Sequence, residues 1–142
     1  MKKTRSKLTI LTAVTVAIVA ILFFSIDNFG NPGGSNWKVP GVAKKLKNPV
    51  PSSKLSIKLG EKLFVQNCAT CHGESGVGDG PVGKFLGKKV ADLTSKAVQS
   101  QVDGVIFYKL TKGRAPMPSY KTILNTKQRW SVINYIRTLK SN

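Results

Sequence analysis

The sequence predicts an all-α protein in which one N-terminal transmembrane helix precedes a small helical domain. Three observations predict this fold class. A 19-residue stretch near the N-terminus carries no charge. Later in the chain, apolar residues recur at helical spacing, and no segment alternates as a strand would. The globular part is only about 85 residues long, and domains this small often depend on a disulfide, a metal or a cofactor.

The N-terminus has the composition of a membrane anchor. Residues 1–7 carry four basic side chains and no acid, and residues 8–26 are uncharged. As a helix this stretch would be about 28 Å long, close to the hydrocarbon thickness of a bilayer. Because no small-residue cleavage site follows, we expect an uncleaved signal anchor, with a cleaved signal peptide as the alternative. The basic residues place residues 1–7 in the cytoplasm and the domain on the periplasmic or outer face of the cytoplasmic membrane.

The chain is strongly basic, with a formal net charge of +17. Without the four basic residues of the N-terminus, 19 Lys and Arg and 6 acids leave a net charge of +13. Nucleic acid is not expected as a partner, because the basic domain would face away from the cytoplasm. The excess indicates docking to acidic protein surfaces or proximity to an anionic membrane. A lysine-rich surface that is merely solvated is the alternative.

Residues 27–56 are predicted to form a linker, because glycine and proline interrupt them too often for a regular element. Lys44, Lys45 and Lys47 add a basic cluster to this segment. Trp37 is unusual here, since an aromatic side chain in a tether generally docks on a surface. The membrane interface, the domain and a partner subunit are all candidates for that surface.

Residues 57–142 form the predicted globular domain. Ser56 is the expected N-cap of its first helix, which runs to about Cys68. Residues 73–91 are glycine-rich and are expected to form a loop rather than a helix.

Two further helices are predicted in this domain. One begins at Asp103, runs to about Lys112 and ends before Gly113. The last helix shows the clearest pattern, with Thr126 as its expected cap. Apolar residues line one face of that helix: Trp130, Ile133, Ile136 and Leu139.

The segment Cys68-Ala69-Thr70-Cys71-His72 gives the strongest functional signal. C-x-x-C-H is the pattern of c-type haem attachment, in which both thiols bond to the haem and the histidine ligates its iron. Three alternatives share only part of the pattern. A thioredoxin-like dithiol would follow a strand, a structural zinc site needs four ligands, and a disulfide would leave His72 without a role.

On these residues the globular part resembles the class I cytochromes c. Gly60, Phe64 and Cys68 have the spacing of that family's first helix, and Val132 with Tyr135 looks like the matching contact on the last helix. The resemblance implies a small helical fold around one covalently bound haem c. It also implies that the glycine lets the first and last helices cross closely.

Met117 is the predicted distal ligand of the haem iron. His72 is the only histidine, and the only other methionine is Met1 in the N-terminal tail. Prolines flank Met117 on both sides, and class I cytochromes c carry their axial methionine in a loop of this kind. Ligation by lysine or an open iron site is the alternative. Together, His72 and Met117 would close both axial positions and raise the reduction potential relative to two histidines.

Further haem contacts are expected around the motif. The Pro81 carbonyl would accept a hydrogen bond from His72 Nδ1, as a proline carbonyl does in the family; an ordinary turn proline is the alternative. Arg114 and Trp130 would contact the propionates, unless Arg114 is a solvated cation and Trp130 a core residue. Three basic residues would surround the haem edge or simply occupy an exposed loop: Lys84, Lys88 and Lys89.

These features predict one-electron transfer in a membrane respiratory chain, by a tethered carrier or a cytochrome subunit. A tether raises the effective concentration of the haem near a membrane partner. Residues 37–40 and 48–51 are similar to monohaem subunits of bacterial quinol-oxidising complexes such as alternative complex III. Cytochromes that serve a terminal oxidase or nitric oxide reductase are alternatives within this class. The expected partners are subunits of respiratory complexes or redox proteins with acidic docking surfaces.

Two other classes of function remain as alternatives. A haem enzyme of the peroxidase or sulfur-oxidising type would need additional residues, and the chain has no second haem motif, third cysteine or second histidine. An exported thiol oxidoreductase would use Cys68 and Cys71 as a redox-active dithiol. The mass of the purified chain separates that possibility from a haem protein.

Overall fold

The computed structural model describes residues 37–86 and 90–140, which form helices joined by loops, with no β-strand in this part of the chain. The described helices are α1 (Gly41–Lys44), α2 (Lys54–Asn67), α3 (Ala69–His72), α4 (Pro81–Phe85), α5 (Lys96–Gln99), α6 (Asp103–Lys112) and α7 (Thr126–Thr138). The all-α prediction is confirmed for this part. None of these helices is long and apolar enough to cross a bilayer. The predicted transmembrane segment, residues 8–26, lies outside the described residues.

Helix α2 begins three residues before the predicted start, and Ser53 rather than Ser56 is its N-cap. The Ser53 side chain accepts a hydrogen bond from the Ser56 amide, and Ser56 Oγ accepts one from the Ser53 amide. This reciprocal pair is a capping box. Ser56 therefore contributes to the cap from the third helical position, while its hydroxyl also donates to the Pro51 carbonyl at 2.7 Å.

Helix α7 also begins earlier than predicted, by one residue. Asn125 is the N-cap, and Thr126, the predicted cap, is the first helical residue. Asn125 Oδ1 accepts from the Gln128 amide at 2.9 Å, and Gln128 Oε1 accepts from the Asn125 amide at 2.8 Å. The Asn side chain thus satisfies an N–H group that the first helical turn leaves without a partner.

Helices α2 and α7 cross at Gly60, as the resemblance implied. A Cβ atom at Gly60 would lie 2.0 Å from the Ser131 carbonyl oxygen and 2.9 Å from Tyr135 Cβ. Phe64, one turn further along α2, is fully buried and lies 5.2 Å from the Tyr135 ring, centroid to centroid. Val132 is also fully buried. The close crossing at Gly60 therefore brings buried side chains of α2 and α7 into contact in the core.

Helix α6 has the predicted bounds and ends at Gly113, whose φ of 63° lies in the left-handed region that glycine tolerates. Oδ1 of Asp103, the first residue of α6, accepts a hydrogen bond from Nη2 of Arg137 on α7, and the two atoms of this ion pair are 2.6 Å apart. In the described part of the predicted loop, residues 73–86 and 90–91, one segment is helical. There Pro81 starts α4, consistent with the preference of proline for the first helical position.

The described half of the predicted linker packs on the domain. We call residues 37–53 the strap. Ala43 of α1 is 3% exposed, and a Cβ atom at Gly104 of α6 would lie 2.0 Å from its carbonyl oxygen. Asn48 donates to Asn134 Oδ1 of α7 at 2.7 Å. Asn134 in turn donates to the carbonyls of Val50 and Pro51. The strap is therefore fixed to α6 and α7 and is not a free tether.

Candidate haem site

The C-x-x-C-H motif lies at the junction between the C-terminus of α2 and the single-turn helix α3. Cys68 joins the two helices, and its carbonyl accepts from the amides of Cys71 at 3.1 Å and His72 at 2.8 Å. Residues three and four apart lie on one face of a helical turn. Both thiols and the imidazole are thus brought to one side of α3, and both cysteines are free of any disulfide.

The environment of Cys68 is unfavourable for thiolate chemistry. The residue is 7% exposed. Burial, with a smaller contribution from the neighbouring Cys71, raises the pKa of the Cys68 thiol to about 12. Reactive C-x-x-C pairs work through a thiol whose pKa is lowered, often by a helix N-terminus or a cation. This arrangement favours a covalent attachment point over a redox-active dithiol.

His72 is oriented by a backbone carbonyl. Its Nδ1 lies 3.0 Å from the Ala91 carbonyl oxygen. This bond fixes the ring and leaves Nε2 for the iron. Burial lowers the pKa of His72, while the Ala91 bond acts in the opposite direction, and the net lowering favours the neutral imidazole that binds metal.

The predicted bond from His72 to the Pro81 carbonyl is wrong in this structure. Pro81 is the first residue of α4, so its carbonyl is directed along the helix toward the amide four residues on. Ala91 is held close to His72 by the neighbouring glycine loop. The Leu93 amide donates to the Gly76 carbonyl at 2.7 Å. At Gly78, whose φ is 87°, a Cβ atom would lie 2.7 Å from the Val90 carbonyl oxygen.

Met117 lies in a tight turn between α6 and α7, and the segment is not helical, as predicted. The amide and carbonyl of Met117 pair with the carbonyl and amide of Arg114, both at 2.9 Å. The Met117 side chain is partly buried against the core. We call residues 114–120 the Met117 loop. Its role in binding iron stays a prediction.

Tyr120 ties the Met117 loop to the haem motif. Its hydroxyl donates to the carbonyl of Asn67, the residue before Cys68, at 2.6 Å. Its amide donates to the Leu110 carbonyl of α6 at 3.1 Å. Burial is the main cause that raises the pKa of Tyr120 to about 12, and the thiols of Cys68 and Cys71 add to it. The Met117 loop is therefore fastened beside the two cysteines.

Arg129 is a structural residue that sequence reasoning missed. It is 6% exposed, and its Nη1 donates to the carbonyls of Leu124 at 2.8 Å and Lys121 at 3.1 Å. Its guanidinium also lies over the Phe107 ring, 5.1 Å from the centroid. The chain that connects the Met117 loop to α7 is thereby held in place. An arginine in the first turn of a helix gives no sequence signal of burial.

The two residues predicted to contact the propionates are both engaged with aromatic rings. Trp130 is 4% exposed and stacks on Phe107 with the centroids 3.9 Å apart, which makes it a core residue. The Arg114 guanidinium lies 4.7 Å from the centroid of the Trp37 ring. Contact with the propionates stays a prediction for both.

The residues present fit haem c. The free thiols of Cys68 and Cys71 lie on one helical turn with His72. Nδ1 of His72 is paired with the Ala91 carbonyl, and Nε2 is available to bind the iron. In residues 37–86 and 90–140, no group of three or more His, Cys, Asp and Glu side chains is placed to hold a metal ion. The zinc alternative therefore lacks a ligand set in that part of the chain.

Fold and site together define a class I c-type cytochrome, a helical domain with haem bonded to the cysteines of a single C-x-x-C-H motif. Comparison with known proteins agrees, because residues 57–140 match the family described as Cytochrome c. The chain belongs to the cytochrome c family, and its cofactor is covalently attached haem c.

Two relatives show how far the similarity extends. The chain is 31% identical over 87 residues to a cytochrome c6 of Euglena gracilis, covering 56% of this chain and 87% of the relative. It is 25% identical over 131 residues to a cytochrome c-553-like protein of Synechocystis, covering 89% of this chain and 96% of the relative.

A solved structure with the same fold belongs to a larger assembly. It is a chain of the reducing HAO-like protein complex of Kuenenia stuttgartiensis, with 26% identity and a TM-score of 0.56. The match covers 66% of this chain and 47% of that chain, so this chain spans about half the length of the solved one.

Proposed function

We propose that this protein transfers single electrons through a haem attached at Cys68 and Cys71 and ligated by His72 and Met117. Haem-mediated electron transfer is the function that membership of the cytochrome c family supports. The observation that carries the finer proposal is the hydrogen bond from Tyr120 to Asn67, which fastens the Met117 loop beside the motif. Bound haem supplies an iron centre that takes up and releases one electron.

The residues around the site favour a carrier over an enzyme. His72 is held by Ala91, and a rigid ligand needs little rearrangement when the charge of its metal changes. Met117 would occupy the remaining axial position. The chain has one histidine, so it offers no second imidazole as a distal base for peroxide chemistry. Both axial positions would be filled by protein, with no site left for a substrate.

The protein is further proposed to work at the cytoplasmic membrane. Residues 8–26 would anchor it as a single-pass protein, with the haem domain on the periplasmic or outer face. There it would serve a respiratory chain as a tethered carrier or as a cytochrome subunit. A quinol-oxidising complex or an oxidase is the proposed setting, and the solved relative within a redox complex supports assembly with other redox proteins.

Electrostatics would guide the proposed partners. The net charge of +13 that remains without the four basic residues of the N-terminus suits redox proteins with acidic docking surfaces. Lys84 on α4 is exposed, and α4 packs against the haem motif, where a Cβ atom at Gly83 would lie 2.7 Å from the Cys71 carbonyl oxygen. An exposed cation therefore lies on a helix that adjoins the attachment site.

Substitution of the distal ligand tests the proposal. In the oxidised full-length protein, Met117→Ala is expected to abolish the methionine–iron charge-transfer band and to lower the reduction potential. Val42→Ala, at an exposed position outside the Met117 loop, is the control and is expected to retain both. A Met117→Ala protein whose spectrum equals that of the wild type would rule out Met117 as the ligand.

A further inference from the structure

The first residue of the described strap lies against the Met117 loop. Trp37 is partly buried, and its ring centroid is 4.7 Å from the Cζ atom of Arg114. The Nζ atom of Lys109 on α6 lies 5.9 Å from the same centroid. Cations within about 6 Å of an aromatic ring face are attracted to it, most strongly by tryptophan. Trp37 therefore joins a cation of α6 to a cation of the loop.

Arg114 also closes the turn that carries Met117. Its amide donates to the Met117 carbonyl and its carbonyl accepts from the Met117 amide, both at 2.9 Å. A displacement of the Arg114 backbone would thus displace Met117. The side chain of Arg114 contacts Trp37, while its backbone holds the proposed ligand.

Trp37 further contacts two side chains of like charge. The pKa of Lys109 is lowered, mainly by burial and also by the charge of Arg114. The Nζ atom of Lys109 donates to Gln101 Oε1 at 2.7 Å, which keeps this cation near the loop. The negative face of an indole ring offsets repulsion between such neighbours. Without the ring, Arg114 would be repelled from Lys109, and the loop would be loosened.

The strap is anchored independently of the Met117 loop. Ala43 packs on Gly104 of α6, and Asn48 donates to Asn134 of α7. These contacts hold the segment that follows Trp37 on the body of the domain. Trp37 therefore approaches Arg114 from a fixed support rather than from a free tether.

We propose that Trp37 is a positioning residue for the distal ligand: by binding Arg114 it holds the Met117 loop closed over the haem site. This inference rests on the proposed ligation of iron by Met117. It gives the strap a function beyond connecting the domain to the N-terminal segment, because the strap sets how readily the methionine leaves the iron. Trp37 acts through Arg114 and does not itself contact the iron.

Imidazole is a suitable probe of loop opening, because it binds the oxidised iron only when Met117 leaves. The full-length holoprotein in detergent is titrated with imidazole. Trp37→Leu is expected to raise the apparent affinity for imidazole about fivefold, which corresponds to a cation–π contact of about 1 kcal/mol. Trp37→Phe, which keeps a ring, should stay within about twofold of the wild type. Val42→Ala, at a strap position that is 71% exposed, is the control and should leave the affinity unchanged.

A second variant separates the proposed contact from a general loss of stability. Arg114→Gln removes the cation and retains the backbone pair with Met117, so it should raise the imidazole affinity by a similar factor. Adding Trp37→Leu to Arg114→Gln should then have little further effect.

An imidazole affinity that is unchanged in both single variants would overturn the inference, as would full additivity in the double variant. If the wild type lacks the methionine–iron band, the proposed ligation fails; if the band is present and imidazole affinity does not respond, only the role of Trp37 fails.

Discussion

The hydroxyl of Tyr120 donates a hydrogen bond of 2.6 Å to the carbonyl of Asn67. This bond spans 53 positions in the chain and joins the end of the Met117 loop to the residue before Cys68. Because Tyr120 is 7% exposed, no water can easily replace the donor. The Tyr120 side chain thus connects the loop that carries the proposed distal ligand with the segment that carries the attachment cysteines.

Tyr120→Phe is expected to lower the free energy of unfolding by about 1–3 kcal/mol, because a carbonyl would lose its donor in a buried setting. Chemical denaturation of the holoprotein measures the change. Tyr108→Phe on α6 is the matched control, since its hydroxyl makes no hydrogen bond within the described residues, and it should cost less. Equal costs for the two variants would contradict the importance of this bond.

The burial of Tyr120 also predicts a dependence on pH. The pKa of Tyr120 in the folded protein is raised from 10.0 to about 12. The folded state therefore holds this proton more tightly than the unfolded state does. The resulting stabilisation is present below about pH 10 and is lost as pH rises toward about 12. The stability difference between wild type and Tyr120→Phe should shrink over that range, and a constant difference would contradict the assignment.

Gly60→Ala is expected to destabilise the domain by at least about 2 kcal/mol. Its Cβ atom would lie 2.0 Å from the Ser131 carbonyl oxygen, so α2 and α7 would have to separate. Gly41→Ala is the matched control, because a Cβ atom at that helical position meets nothing within 4 Å. Thermal unfolding compares the two variants, and similar melting temperatures would show that the crossing is more tolerant than its geometry implies.

Arg129→Leu is expected to cost about 2–4 kcal/mol of stability, because charged donors to the Leu124 and Lys121 carbonyls would be lost. The segment after the Met117 loop would be loosened. Lys127→Leu, at an exposed position of the same helix, should change stability by less than about 0.5 kcal/mol. If Arg129→Leu retained wild-type stability under denaturant, the buried guanidinium would not be structural.

Electrostatic docking predicts that electron transfer to an acidic single-electron carrier protein slows as salt increases. Neutralising the three lysines that are predicted to surround the haem edge should reduce both the rate of electron transfer at low salt and its salt dependence. The variant combines Lys84→Gln, Lys88→Gln and Lys89→Gln. The control has the same loss of charge at exposed positions elsewhere, with Lys121→Gln, Lys127→Gln and Lys140→Gln. Equal effects of both sets would show that net charge alone governs docking.

The three longest helices of the described residues, α2, α6 and α7, were predictable from the sequence, while the first residues of α2 and α7 were not. Three short helices were not predicted, because α1 lies in the expected linker, α4 in the expected loop and α5 in a segment without a clear pattern. Helix α6 was predicted correctly because an acid at its start and Gly113 at its end mark both boundaries. The predicted start of α2 was wrong by three residues, and that of α7 by one residue. Ser53 and Asn125 are the caps, and each pairs with a polar residue three positions later. A chain with several Ser, Thr and Asn near a helix start offers more than one plausible cap.

The covalent site was predictable because C-x-x-C-H has a defined spacing, whereas its surroundings were not. The partner of His72 is the backbone carbonyl of Ala91, and a carbonyl has no sequence signature. Gly- and Pro-rich spacing suggested a free linker, but Asn48 and Ala43 fix the strap to the domain. Such contacts join residues more than 50 positions apart, which local patterns do not record.

The most direct test of one-electron transfer at a closed iron is a spectroelectrochemical titration of the purified full-length protein. The expected result is a single reversible one-electron transition, with the methionine–iron band in the oxidised form. Carbon monoxide added to the reduced form should leave the spectrum unchanged, because His72 and Met117 would occupy both axial positions. A two-electron dithiol transition, or prompt binding of carbon monoxide to the native protein, would contradict the proposed function.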